Sequence, residues 1–339
     1  MEAAPPVMTT GLWAAVAGVS DVVVTAAIPP ACRRGLDRAT TTIRDDQALV
    51  ETPVWAVAGA THLVPSFSAL TDAPFSVRLE ITARVGGAWS PWVAGVGLGP
   101  APFAPLPDAS PLAVDVDVFR AQTPVEAVRV RARVQAPAPA AVLDAPWLLT
   151  LSAAESGSSA GSLPGAPRGA HLAVPALSQM ECDERIAHRI CSPTCVAMVL
   201  EFWRQSVPVP ALAAEMFHPG TDLYGVWPAA IMAAGRHGLA GYVLRVPDWD
   251  SAAWCLEQGL PVIASVRYGP GELPGAAIAQ TTGHLMVLTG VDGHDVLVND
   301  PAAPSAAAVR RRYPLAAFAR IWLTRTAIAY VLFPPTPRT

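Results

Sequence analysis

The chain has 339 residues, with 23 basic against 27 acidic side chains and a formal charge of -4. Every basic residue is an arginine, since the sequence contains no lysine; this excludes a phosphate-binding lysine loop, a Schiff-base lysine and a Ser-Lys catalytic pair. The slightly acidic balance argues against a nucleic-acid surface, and only 15% of residues are charged, which argues against a disordered chain. At about 150 residues per domain, the length predicts two domains, each with its own core.

The first 34 residues carry an apolar run interrupted by Asp21, with no basic residue ahead of it. A secretory signal needs a positive n-region and an unbroken apolar stretch, and Asp21 is costly in a bilayer. No later stretch offers 18 apolar residues free of charges or breakers. The expectation is a chain without membrane insertion, placed in the cytoplasm, with export left open.

Residues 40 to 150 read as β structure. In Ser76 to Val85, Val77, Leu79, Ile81, Ala83 and Val85 alternate with Ser76, Arg78, Glu80, Thr82 and Arg84, the period of a half-buried strand. Val125 to Val134 repeats the pattern, with Arg129, Arg131 and Arg133 expected on a solvated face. Val114, Val116 and Val118 against Asp115 and Asp117 predict another short strand. Such strands, separated by Pro and Gly clusters, predict an N-terminal all-β, sandwich-like domain over residues 1–152. Trp55, Trp89 and Trp92 fit core or edge packing better than a sugar platform, so a protein or carbohydrate ligand for this domain stays open. Residues 153–170, rich in Gly, Ser, Ala and Pro, predict a linker. Residues 171–339 then mix helices with strands, an α+β pattern.

Cys191 stands in CSPTCVAMVLEFWR, where Pro193 suits a first helical turn. The following residues are apolar on most sides, so the helix is expected at the centre of a core. The positive end of a helix dipole favours a thiolate. The candidate base is His284, ahead of two strands, Leu285 to Val291 and Asp295 to Asn299, joined near Asp292-Gly293. That hairpin places Asp300 opposite His284 to within a residue or two, close enough to orient an imidazole. Gln179, in VPALSQ, is a side-chain donor suited to an oxyanion.

These segments resemble the papain-like cysteine peptidases of the bacteriocin-processing type, family thirty-nine. The resemblance rests on VPALSQ, CSPTCVAMVLEFW, GVWPAAIMAAGRHGL, GLPVIASVRYGPGELPGA, GHLMVLTGVDG, VLVNDPAAP and VRRRYPLAAFARIWL, in that order over about Val174 to Pro334. It implies a papain-like fold for the C-terminal domain, with Cys191 as nucleophile, His284 as base, Asp300 as its partner and Gln179 in the oxyanion hole. Two departures stand out: Ser192 follows the nucleophile where many relatives have Gly, and Cys182 to His188 is unusually charged.

Cys182, His188, Cys191 and Cys195 also invite a zinc reading, but they contain no CxxC pair. Cys195 and Cys255 read as core residues, and the pairing of Cys32, Cys182, Cys195 and Cys255 is not set by spacing. His62, His171, His218, His237 and His294 read as exposed or capping. The expected function is a cysteine peptidase or amide hydrolase acting on a peptide or acyl substrate through a thioester, with no cofactor and no metal. The alternatives are an acyltransferase using the same residues with an amine or alcohol acceptor, and a catalytically silent binding or scaffold protein.

Overall fold

A computed structural model describes residues 10–106, 111–155 and 170–336. The first half contains strands β1 (Gly11–Ala17), β2 (Arg33–Asp37), β3 (Thr40–Arg44), β4 (Gln47–Glu51), β5 (Trp55–Ala69) and β6 (Ser76–Val85). They are followed by β7 (Ala88–Trp89), β8 (Val93–Leu98), β9 (Leu112–Asp115), β10 (Val118–Gln135) and β11 (Trp147–Ala154). Two short helices, α1 (Asp21–Ala26) and α2 (Pro139–Asp144), interrupt them. The expected linker lies, from 156 to 169, outside the described residues, while residues 153 and 154 still belong to β11.

The second half runs β12 (Ala170–His171), α3 (Glu184–Ala187), α4 (Cys191–Phe202), α5 (Val209–Met216), α6 (Trp227–Arg236) and β13 (Ala240–Arg245). It continues through α7 (Trp249–Glu257), β14 (Val262–Tyr268), β15 (Thr281–Asp292), β16 (Asp295–Asn299), β17 (Arg310–Pro314), α8 (Leu315–Leu323) and β18 (Ile328–Phe333). Its sheet has the order β13-β18-β14-β15-β16-β17, with β12 beside β15. The whole chain is a mixed, sheet-rich α/β structure. Among the described residues no helix is long and apolar enough to cross a membrane.

The first half departs from two separate facing sheets. Its strands form one hydrogen-bonded network in the order β2-β1-β11-β5-β10-β4-β3, with β6 to β9 branching from it. The cause is β10, which pairs with β5 up to Val128, breaks register between Arg120 and Ala127, and then runs between β4 and β6 to Gln135. A strand that bends at bulges can serve two portions of sheet. The two portions close on one core that includes Trp55, Phe67, Ile81, Val130 and Leu149.

Strand β6 has the expected limits but is buried on both faces up to Ala83. Its polar face is closed by charge. Glu80 is fully buried and accepts from Arg78 at 2.7 Å, from Arg133 at 3.0 Å and from Arg131. Burial resists ionisation of Glu80, but these three guanidiniums outweigh it and hold its carboxyl below the usual range. The row Arg129, Arg131 and Arg133 is therefore not a solvated face: two members turn onto Glu80, and Arg129 pairs with Glu51. Trp55 is buried and donates to Asp37 at 2.8 Å, while Trp89 and Trp92 border a surface cleft with Arg129.

The two halves do not keep separate cores. Leu12, Val16, Val24 and Cys32 pack in the same cluster as Tyr242, Trp249, Leu256 and Trp322. Strand β13 lies at the edge of the second sheet, and an edge strand presents unpaired backbone groups. The first sheet satisfies them with hydroxyls: Val243 N–H donates to Ser66 Oγ at 3.2 Å and Arg245 N–H to Ser152 Oγ at 2.9 Å. Ser68 Oγ donates to the Leu239 carbonyl at 3.4 Å. Helix α6 also docks on β5, where a Cβ on Gly235 would stand 2.7 Å from the Ala69 carbonyl oxygen.

Replacing Glu80 with Gln would leave three buried or half-buried guanidiniums without their anion. Loss of one partner of a buried ion pair costs roughly 3–5 kcal/mol, so Glu80→Gln should unfold at clearly lower denaturant concentration than the unaltered chain. An unchanged unfolding midpoint would show that the cluster contributes no net stability.

Candidate active site

Cys191 is the first residue of α4, and Ser192 to Leu200 are buried behind it. The helix packs against β15, as the run of apolar residues on most of its faces requires. Cys191 itself is half-buried and opens on a cleft of about 420 Å³.

His284 sits in β15, paired across the ladder with Val266. Its buried ring bonds through Nε2 to Asp300 Oδ1 at 2.8 Å. Asp300 directly follows β16. The turn between β15 and β16 is Gly293-His294, one position later than expected, and a bulge between Leu288 and Gly290 shifts the register back. Beyond the pair Val287 and Asn299, that register puts Asp300 opposite Met286, one same-face step from His284. The offset of two residues lies within the expected range.

Asp300 has two further donors: Tyr313 Oη at 2.8 Å on Oδ2 and the Ala302 N–H at 3.0 Å on Oδ1. Tyr313 was not among the residues expected at the site. Its signal was the alternation in VRRRYP, where Arg310 and Arg312 are exposed and Tyr313 is buried. Asn299 also escaped notice; its Nδ2 donates to the Pro175 carbonyl at 2.9 Å and the Val174 carbonyl at 3.2 Å. Together with Gln179 N–H to the Pro301 carbonyl at 2.9 Å, these bonds stitch the VPALSQ segment to NDP.

Gln179 is buried in a short 3-10 turn, and its Nε2 donates to the Ala187 carbonyl at 2.7 Å. Its Oε1 has no hydrogen-bond partner among the described residues. The charged stretch after it is solvent-facing, with Arg185 paired to Asp183 at the surface. Cys195 donates to the Leu285 carbonyl at 3.3 Å inside the core. His62 and His218 are not merely exposed: His62 bonds Arg120 at 2.8 Å, and His218 bonds the Gly97 carbonyl at 3.1 Å, joining the two halves.

Burial resists ionisation of the Cys191 thiol. The hydrogen bond and charge of His284, with the N–H groups of Leu285 and Ser192, outweigh it and bring the thiol below its ordinary value. Burial likewise disfavours a charged His284, yet hydrogen bonds to Asp300 and Cys191 raise it to about 10. Asp300 stays below the usual carboxylate range, because His284 and Tyr313 overcome its burial. Both directions favour charge on the pair: the thiol is lowered and the imidazole raised. The remaining thiols move the other way: burial pushes Cys32 up to about 12 and raises Cys195, Cys255 and Cys182.

One wall of the cleft comes from the first half. The segment Val114 to Val118 is not a strand but the end of a hairpin, since Asp115 pairs with Val118 and Val116 has φ 57°. Asp117 N–H reaches the Asp115 carbonyl at 2.8 Å across Val116, a γ-turn that a β-branched residue rarely occupies. Asp117 is anchored to the start of α6, where Trp227 N–H donates to its Oδ2 at 2.7 Å. Burial pushes the Asp117 carboxyl up to about 7, the backbone donors only partly opposing it.

Residues 171–330 match the model of the Peptidase_C39 like family. The second half of the chain therefore resembles the C39-type cysteine peptidases, with a β-rich segment ahead of it. Two solved structures are similar to it. A Bacillus anthracis protein described as a C39-like peptidase shares 18% identity, covering 51% of this chain and 99% of its own, with a TM-score of 0.39. The peptidase domain of Streptococcus ComA, described as a bifunctional ABC transporter in a quorum-sensing pathway, shares 17% identity over 48% of this chain and 98% of its own, with a TM-score of 0.35. No curated protein matches the chain.

Two outcomes follow. Iodoacetamide at neutral pH should alkylate Cys191 ahead of the other four thiols, as read by peptide mass spectrometry, and Asp300→Asn should slow that labelling about tenfold or more, a loss of roughly 1.4 kcal/mol in pair stabilisation. Asp117, with a carboxyl raised from 3.8 to about 7, stabilises the fold below pH 4 and loses that contribution as pH rises through 7. Asp117→Asn keeps an acceptor for Trp227, so its melting temperature relative to the unaltered chain should climb between pH 4 and pH 8. A flat difference would contradict the raised carboxyl.

Proposed function

We propose that this chain is a cysteine peptidase that cleaves an amide through a thioester on Cys191, with a papain-like arrangement of the second half and the first half as a sandwich-like β domain. The observation that carries the reading is the buried bond from His284 to Asp300, itself held by Tyr313, with Cys191 at a helix start facing a cleft and its thiol drawn below its ordinary value by His284. The Peptidase_C39-like match supports peptide bonds as the target.

The Cys191 thiolate attacks the carbonyl carbon, and negative charge builds on its oxygen. Gln179 Nε2 commits one hydrogen to Ala187 and keeps the second for that oxygen, beside the Cys191 N–H. The His284 imidazolium passes its proton to the leaving nitrogen as the carbon–nitrogen bond breaks. Water then attacks the thioester, His284 accepts its proton, and the acid departs as the thiolate reforms. Asp300 holds the ring orientation and stabilises its charge, and Tyr313 holds Asp300.

Cys191→Ala should abolish hydrolysis of a peptide library read by mass spectrometry, and retained cleavage would sink the reading. Gln179→Ala should lower kcat/KM by about 10²–10³, the usual effect of removing an oxyanion donor. The rate should rise with pH as Cys191 ionises and fall as His284 loses its proton. Since Asp300 raises His284, Asp300→Asn should move the falling limb to lower pH. Amine conjugates formed in place of free acid would instead identify an acyltransferase.

A further inference from the structure

The cleft beside Cys191 is built by both halves, and its charges are unevenly matched. Ser265 and Arg267 of β14 and Gly283 and Leu285 of β15 line it together with Tyr224, Val226 and the Asp115–Val118 turn. Ser265 pairs with Leu285, so Arg267, two residues along, projects on the same face. A bulge follows Val266, and bulges re-aim the side chains next to them. Gly283 keeps the space beside it empty, since a Cβ built there would meet nothing within 4 Å.

Most charges in this cleft are already matched. Asp115 pairs with Arg120 at 3.3 Å and Arg189 with Asp222 at 2.9 Å. Asp117 is held by the Trp227 N–H. Arg267 is exposed, and its guanidinium makes no hydrogen bond or ion pair among the described residues. Only its backbone carbonyl is engaged, by Arg325 at 2.7 Å. A permanently charged planar fork suits a carboxylate, the anion that an unmodified peptide carries.

We propose that the cleft selects peptides carrying a carboxylate close to the scissile amide, bound by Arg267 and confined by the Asp115–Val118 turn of the first sheet. The proposal rests on Cys191 being the nucleophile. It assigns two specificity-determining features: Arg267 reads charge, and Val116, at the tip of the turn, limits bulk. The turn holds its place because Asp117 ties it to α6 and because the edge of β13 is fastened to the first sheet. The carboxylate can belong to an acidic side chain or to a chain end.

Bromoacetyl peptides separate these possibilities, because they alkylate Cys191 without requiring turnover. Rates would be measured for bromoacetyl-Glu, -Gln and -Lys amides and for bromoacetyl-Ala with a free or amidated carboxyl. Glu should exceed Gln about tenfold, the factor that 1.4 kcal/mol supplies. Arg267→Gln should bring the ratio close to one, and Arg267→Glu should favour Lys. A preference confined to the free-carboxyl Ala compound would assign the site to a chain end. Val116→Gly, which relieves a positive φ and so keeps the fold, should raise the rate of bromoacetyl-Trp amide relative to Ala amide. Iodoacetamide in the same samples reports the nucleophile: no selectivity for Cys191 sinks the peptidase reading. Selective labelling with no carboxylate preference in either the Glu/Gln or the free/amidated Ala pair, or a preference untouched by Arg267→Gln, overturns the assignment of Arg267. An unchanged Trp-to-Ala ratio in Val116→Gly overturns the role of the turn.

Discussion

The architecture depends on how one exposed strand edge is satisfied. Strand β13 closes the second sheet on one side, and its outward N–H groups at Val243 and Arg245 are buried against the first half. A buried backbone donor without a partner costs free energy comparable to a lost hydrogen bond. Ser66 and Ser152 supply that partner from β5 and β11, on a face where Ser68 and Thr150 are also fully buried or nearly so. The first sheet thus presents a band of hydroxyls shaped to one strand of the second. Apolar packing from Val24 to Trp249 then adds the non-directional part of the attachment.

That attachment determines what the cleft can be. With β13 and α6 fastened to the first sheet, the β9–β10 turn reaches the mouth of the site and Asp117 binds the start of α6. The electrostatics divide into two regimes. Deep in the first half, Glu80 neutralises part of a guanidinium cluster and acts as a structural ion. At the site, Asp300 is buried equally well but faces a titratable partner, so its charge is transmitted through His284 to the Cys191 thiol. Arginine serves in the Glu80 cluster because its charge survives burial. A lysine at Arg131 or Arg267 would lack the planar fork, and the chain has none to offer.

Much of this was legible in the residues. The limits of β6 follow from strict alternation and β16 from the hairpin signal ahead of it, and that hairpin brings Asp300 within reach of His284 because a turn constrains register. The family resemblance covered the order Gln179, Cys191, His284, Asp300; the fold bonds His284 to Asp300 and ties Gln179 to Ala187 and Pro301. Other features were opaque for identifiable reasons. Val114 to Val118 alternates like a strand, and only the left-handed backbone at Val116 reveals a turn. The arginine row on β10 alternates like a solvated face, yet its partner Glu80 is about 50 residues away in sequence. Ser66, Ser68 and Ser152 look like polar strand positions until the second sheet arrives to use them. The alternation in VRRRYP marks Tyr313 as buried, but its bond to Asp300 depends on how β17 pairs with β16, which no local pattern encodes.

The placement of the Val116 turn also has a consequence in time. Every strand of the first sheet lies before residue 155, and chains are made from the N-terminus, with early units folding first. The residues of the hydroxyl band and of the γ-turn are therefore synthesised before those of α4, β14 and β15. One side of the cleft is thus made before the nucleophile it confines, and it is fastened in place only when α6 arrives to bind Asp117.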